Sequence, residues 1–258
     1  MIRCRRLLPA MIALPLALAI AGCSGKTKVV YVPAPPPPPP ITAPTRTPPS
    51  EAKPAAPAPA IATTGDNADV EFVATHAPLS SEEGLASWYG PPYHNRKAAN
   101  GQIFDQNAMT AAHRTLPLNS LIKVTNLQTG QSVVVRVTDR GPFVQGRLLD
   151  LSMASAKAAG VWRPGTAKVR VDVYQTPSPI AEGGRWCVQV GAFKNEDEAI
   201  KLRDHLLHKY HTANVIEFTG PTGHWVRIRP QADDKKKAFE IASELTPVEG
   251  NAYLVRLD

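Results

Sequence analysis

An imidazole and a carboxylate that close strands can bring together are the raw material of acid/base chemistry on a polymer. His113, in Thr110-Ala-Ala-His113-Arg114, and Asp139, in Thr138-Asp139-Arg140-Gly141-Pro142, form such a pair in this 258-residue chain, with short apolar runs between them. Arg140-Gly141-Pro142 marks the end of a strand in a turn, a position that exposes a carboxyl in a groove. To donate a proton near neutral pH, Asp139 needs its pKa raised by partial burial or by a neighbouring negative group.

The elements that must position them alternate at strand period. Ile122–Thr125, Ser132–Val137 and Ala167–Val173 run apolar or alternate, and they are punctuated by Asn126, Thr129-Gly130 and Arg163-Pro164-Gly165. One short helix is expected over Ser152–Ala159, with Asp150 or Ser152 as its cap. A compact barrel of short strands satisfies this pattern, since closure removes exposed edges.

Residues 185–258 have a different rhythm. Strand, helix, strand, strand, helix, strand are expected over 186–193, 195–210, 214–219, 224–229, 233–245 and 252–257. Asn195 with Glu198 reads as a capping box, and Ala199, Leu202, Leu206 and Leu207 form an apolar stripe. Both helices should cover one face of a four-stranded antiparallel sheet and leave the other face free to bind.

Upstream of both blocks the composition changes. Thirteen of the 26 prolines lie between Pro33 and Pro59, six of them in the run Pro35–Pro40. Residues 24–83 cannot bury enough apolar surface to fold and read as a disordered tether. At about 3.1 Å per residue in polyproline geometry, such a tether reaches on the order of 100 Å. The chain starts with Arg3, Arg5 and Arg6 ahead of an apolar run, Leu7–Ile20, too short to span a membrane comfortably. The run ends in Ile20-Ala21-Gly22-Cys23, which resembles the bacterial lipobox. Residues 1–22 are then a signal peptide and Cys23 the acylated residue that anchors the chain to a membrane. Ser24 rather than Asp follows Cys23, which in lipoproteins of this kind implies the outer membrane.

Charge separates the two blocks. Residues 84–174 carry 11 Lys/Arg against 4 Asp/Glu, whereas residues 185–258 carry 11 of each. A basic barrel suits an anionic polymer, and an exported chain narrows that class to the cell wall and lipid surfaces. With Cys4 in the signal and Cys23 lipidated, Cys187 has no intrachain partner. No disulfide, metal site or cofactor is expected.

Gly84-Leu-Ala-Ser-Trp-Tyr-Gly90, Ala98-Ala-Asn-Gly101, Leu116-Pro117, Val124-Thr-Asn-Leu127, Asp139-Arg-Gly-Pro142 and Asp150-Leu-Ser152 resemble the double-psi β-barrel of the rare lipoprotein A family. Arg185-Trp-Cys-Val-Gln-Val-Gly-Ala-Phe193 resembles the first strand of a SPOR domain. The expected fold is mainly β plus α+β: a six-stranded double-psi barrel at 84–175, a linker at 176–184 and a βαββαβ, ferredoxin-like SPOR domain at 185–258.

The resemblance implies an endolytic lytic transglycosylase that cleaves peptidoglycan glycan strands lacking stem peptides and forms 1,6-anhydroMurNAc at the division septum. It implies a position on the periplasmic face of the outer membrane, with division proteins as possible partners. Asp139 is the expected acid/base, and His113 is expected to orient it or to bond the sugar. Family members commonly carry a catalytic Glu where this chain has Gln102. A carboxamide cannot act as an acid near pH 7. Gln102 therefore keeps a second reading open, a non-catalytic, expansin-like septal wall binder.

In the SPOR-like block, alternation turns Trp186, Val188 and Val190 towards the helices. It leaves Gln189, Trp225 and Arg227 on the other face, where an amide, a stacking ring and a guanidinium fork suit sugar hydroxyls, acetamido groups and lactyl carboxylates. RNA recognition by such a sheet would need stacking aromatics on both central strands, and the first offers Gln189. Nucleic acid is not an expected partner.

Overall fold

The computed structural model describes residues 61–62, 67–217, 223–245 and 251–258. The signal segment, Cys23 and the proline run lie outside the described residues.

Six strands close the barrel: β2 (Ser80–Trp88), β3 (Thr110–His113), β4 (Leu121–Asn126), β5 (Ser132–Asp139), β6 (Arg147–Leu151) and β7 (Ala167–Gln175). Their order is β5-β3-β6-β2-β7-β4, and β4 pairs back onto β5. The β3–β5 and β2–β6 pairs are parallel, and the other pairs within the ring are antiparallel. A two-residue strand, β1 (Ile61–Ala62), adds in parallel to the start of β5. Period-2 alternation fills the interior, because Val133, Val135 and Val137 of β5 meet Ile122 and Val124 of β4 and Val169, Val171 and Val173 of β7 in one core.

The short helix α2 (Met153–Ala158) forms where expected, and Ser152 is its cap, its hydroxyl accepting from the Ser155 amide at 3.1 Å. That leaves the Asp150 carboxylate for other partners. The β4–β5 turn is held by Asn126, whose Oδ1 accepts from the Gln128 amide at 3.0 Å and whose Nδ2 donates to Ala159 at 3.0 Å.

The barrel starts earlier than residue 84. Strand β2 pairs with β7 from Ser80, and a helix, α1 (Asn67–Thr75), lies upstream of it. Val73 is buried against Leu121 and Val134, and the Asp69 carboxylate accepts from Arg136 Nε at 2.9 Å. Only Val73 of this helix is buried. A helix with a single buried side chain has no periodic signal, so its residues read as tether.

The second block folds as expected: β8 (Trp186–Phe193), α3 (Glu196–Leu207), β9 (Asn214–Glu217), β10 (His224–Ile228), α4 (Lys235–Glu244) and β11 (Ala252–Arg256). The sheet order is β11-β8-β10-β9, antiparallel throughout. Asn195 and Asp234 cap the two helices, accepting from the amides of Asp197 at 3.0 Å and Lys237 at 2.8 Å. Trp186, Val188, Val190, Val226 and Ile228 pack with Ala199, Leu206 and Ala238 in a core separate from that of the barrel.

The opposite sheet face is not open. Phe143 of the barrel lies 4.9 Å from Trp225 and 5.8 Å from Tyr253, ring centroid to centroid. The Arg256 amide donates to the Arg114 carbonyl at 3.0 Å, and the Leu118 amide donates to the main-chain oxygen of Asp258 at 3.2 Å. The linker is pinned as well, since the fully buried Arg256 side chain donates to Pro179 O at 2.8 Å and Ser178 Oγ at 2.9 Å. At Gly184 the backbone takes φ of +78°, and a Cβ there would meet Arg256 Nε at 2.6 Å, so only glycine fits.

Candidate active site

A hollow of about 400 Å³ opens at one end of the barrel, and Trp88, Tyr93, Asp139, Arg147, Asp150 and Trp225 line it. Asp139 ends β5, where Gly141 takes φ of +147° and the peptide to Pro142 is cis. Its Oδ1 accepts from the amides of Ala99 at 3.0 Å and Arg140 at 2.8 Å. Burial pushes its pKa above the usual carboxylate value, and the two amides oppose that shift without cancelling it. The expected turn therefore holds Asp139 in a hollow with a raised pKa, as a proton donor requires.

Asp150 is the second carboxylate of the hollow, and reading the chain as a sequence missed its role. It accepts from Ser87 Oγ at 2.6 Å and stands 3.6 Å from Arg147, which itself donates to Ser87 Oγ at 2.6 Å. Burial raises its pKa too, against the pull of Ser87 and Arg147. Tyr93 beside them has its phenol pKa raised, first by burial and then by Asp150.

His113 does not orient Asp139. Ala112 is the residue of β3 that faces both acidic strands in register, and its neighbour His113 points the other way. The imidazole is buried, and its Nδ1 accepts from the amides of Thr115 at 3.2 Å and Leu116 at 3.0 Å. Burial first, then Arg114 and Arg140, lower its pKa to about 3. It is a neutral group with its proton on Nε2 that fixes the 113–116 turn. Arg140 holds the same turn, donating to His113 O at 3.0 Å and Leu116 O at 2.7 Å.

Gln102 also stands apart from Asp139. Its Oε1 accepts from Asn100 Nδ2 at 2.9 Å, and it lines separate hollows with Thr138. Thr138 and Asp139 are consecutive in β5 and face opposite sides, which divides the two regions.

In the second domain the structure does bring the three expected residues together. Arg227 is the register partner of Gln189 and donates to its Oε1 at 3.0 Å. Gln189 and Trp225 are buried, at 1% and 3% exposure, and Phe143 of the barrel covers Trp225 rather than leaving it open to a ligand.

A closed six-stranded barrel with paired acidic residues at its mouth, followed by a two-helix antiparallel sheet domain, defines the class. Residues 81–171 match the family described as lytic transglycolase, and residues 182–256 match the SPOR domain. The chain thus carries a lytic transglycolase barrel followed by a SPOR domain, and the curated relatives that it resembles are RlpA proteins.

It is 44% identical over 137 residues to the endolytic peptidoglycan transglycosylase RlpA of Campylobacter jejuni, covering 44% of this chain and 50% of that protein. It is 39% identical over 161 residues to the RlpA of Vibrio cholerae, covering 60% and 61%. With the RlpA of Pseudomonas aeruginosa it shares 51% over 102 residues, covering 40% and 30%. The chain thus spans about half the length, or less, of several curated relatives that it matches. Among solved structures, the Streptomyces papain inhibitor aligns at 17% identity over 38% of this chain and 97% of that one, with a TM-score of 0.32. The apo Clavibacter michiganensis expansin aligns at 18% over 45% and 59%, with a TM-score of 0.31.

Proposed function

We propose that this protein is an endolytic peptidoglycan transglycosylase acting on glycan strands free of stem peptides. The observation that carries the reading is the pair Asp139 and Asp150 in one hollow, both with raised pKa. The names of the relatives, each an endolytic peptidoglycan transglycosylase, support the same chemistry.

The two environments divide the roles. Asp139 is held through one oxygen by two amides, and its protonated form gives its proton to the oxygen bridging MurNAc and GlcNAc. Asp150, bonded by Ser87 and paired with Arg147, stays ionised and stabilises the positive charge that grows at the anomeric carbon. The C6 hydroxyl of the same MurNAc then closes on that carbon. Its proton returns to the Asp139 carboxylate, the 1,6-anhydro ring forms, and no water is consumed. In ordinary glycoside hydrolysis water takes that place.

The sequence adds location. A signal peptide, Cys23 in a lipobox and Ser24 after it support a lipid anchor on the periplasmic face of the outer membrane, and the SPOR domain supports recruitment to septal peptidoglycan. Incubating the soluble fragment from Ser24 onward with amidase-treated sacculi should release peptide-free, anhydro-ended glycans detectable by mass spectrometry. Binding without such products would overturn the enzyme reading.

Gln102 favours the second reading, a wall binder that grips glycan without cleaving it. Activity that appears only in Gln102→Glu would establish that reading.

A further inference from the structure

We infer that the barrel loop carrying Phe143 and a peptide-free glycan strand compete for the same sheet face of the SPOR domain, so that the docked domain is a latch which glycan opens. This rests on the reading of Gln189, Trp225 and Arg227 as the glycan-binding set.

In the docked state two residues of that face, Gln189 and Trp225, are buried. Trp225 is covered by Phe143, and Gln189 spends its carbonyl on Arg227. A saccharide stacked on Trp225 must occupy the volume that Phe143 fills, so the two states exclude one another.

The junction is built to separate. The two domain cores share no residue, and contacts of this kind between domains are ordinarily exchangeable. Besides the rings around Phe143, it is held by main-chain bonds at Arg114, Leu118, Arg256 and Asp258, by the Arg114 guanidinium 5.6 Å over the Tyr253 ring, and by Arg140, which donates to the Asp258 main-chain oxygen at 2.6 Å. The fit leaves polar groups unmatched, because Arg227 Nε and Arg140 Nε are buried without a hydrogen-bond partner. Buried donors left unpaired weaken a docked state and favour a ligand rich in acceptors.

Opening has a consequence for the barrel. Trp225 and Phe143 form part of the wall of the hollow that holds Asp139 and Asp150. An endolytic enzyme must admit a strand that continues in both directions. Withdrawing the SPOR domain removes Trp225 from that wall and frees the Phe143 side of the hollow.

The linkage is reciprocal: the apparent affinity for glycan is reduced by the fraction of molecules that are undocked. Peptide-free glycan oligosaccharides would be titrated into the fragment from Ser24 onward, with Asp139→Asn to preserve the ligand, alone and together with Phe143→Ala. The expected result is binding about fivefold or more tighter with Phe143→Ala. Hydrogen exchange on the Asp139→Asn fragment without the Phe143 change is the second measurement and does not depend on that variant folding. Glycan should speed exchange at the Leu118 and Arg256 amides, which bond across the junction. Unchanged or slowed exchange with glycan bound would overturn the latch while leaving the glycan reading intact. Absence of binding in both proteins would overturn the glycan-binding face and the latch together, and the anhydro-product assay on the wild-type fragment would still judge the enzyme separately.

Discussion

Asp139 and Asp150 are register partners of the same residue, Ala112, one across each side of β3. Neighbouring strands lie about 4.8 Å apart, so the two backbones stand about 10 Å from one another with their side chains converging on one hollow. Their different partners predict different losses. Asp139→Asn should lower turnover of peptide-free glycan by about a thousandfold, within the range for loss of a general acid. Asp150→Asn should cost about a hundredfold through lost charge stabilisation. Both are read as anhydro product per unit time, with glycan binding retained.

Ser87 offers a pH test of the same assignment. Its hydroxyl lowers the pKa of Asp150 against the effect of burial. The proposed mechanism needs Asp150 ionised and Asp139 protonated, giving a bell whose acid limb belongs to Asp150. Ser87→Ala removes the hydroxyl, so Asp150 keeps its proton to higher pH. The acid limb should move upward while the alkaline limb stays in place, and a shift of the alkaline limb instead would reverse the two roles.

His113 governs stability rather than turnover. Its pKa falls from an ordinary 6.5 to about 3 on folding, so the unfolded chain binds the proton more readily. A group whose folded pKa is lowered stabilises above its unfolded pKa, and that contribution is lost as pH falls towards the folded value. Between pH 7 and 4.5 the loss is on the order of 3 kcal/mol. The raised carboxylates run the other way, since their contribution is present below the ordinary carboxylate range and is lost as pH rises through their folded values. Urea melts of His113→Asn should show a shallower loss over this interval than wild type. An unchanged slope would mean that the imidazole is not held neutral.

Gln102 sits on the far side of β5 from Asp139, bonded to Asn100. Gln102→Glu should therefore change the rate by only about threefold, well below the effect expected for gain of a general acid. Product analysis of the two proteins side by side decides it.

The helix ahead of the barrel is part of the folded unit. Removing Asp69 leaves Arg136 without its carboxylate, and Arg136 is 38% exposed, so water moderates the cost. Asp69→Ala should destabilise by about 1 kcal/mol, and Val73→Ala by about 1–2 kcal/mol through the lost packing on Leu121 and Val134. A fragment beginning at Gly84 would also lose the β2–β7 pairs from Ser80 to Glu83, and thermal melts should rank it below both variants.

Period-2 alternation made β4, β5 and β7 legible, and the stripe Ala199, Leu202, Leu206 identified α3, because each element buries a repeating face. Asp139 was legible from its turn. Asp150 was not, since the same stretch offers two capping residues, and only the structure assigns the cap to Ser152. His113 misleads for a related reason: a histidine near an acid in sequence carries no direction, and alternation past Ala112 turns it away. The sheet face of the second domain was read by alternation alone. Its covering by Phe143 depends on a contact between separately folding segments, which no local pattern encodes.

The docking of Asn67–Thr75 and the early start of β2 also bear on distance. Residues 67–83 belong to the barrel, and at about 3.1 Å per residue they withdraw about 50 Å from the span that a proline-rich strand of the full length would provide. If the chain is anchored upstream as proposed, the hollow of Asp139 and Asp150 is thereby confined to a shallower zone beyond the anchoring surface, and lengthening that stretch would move the zone outward.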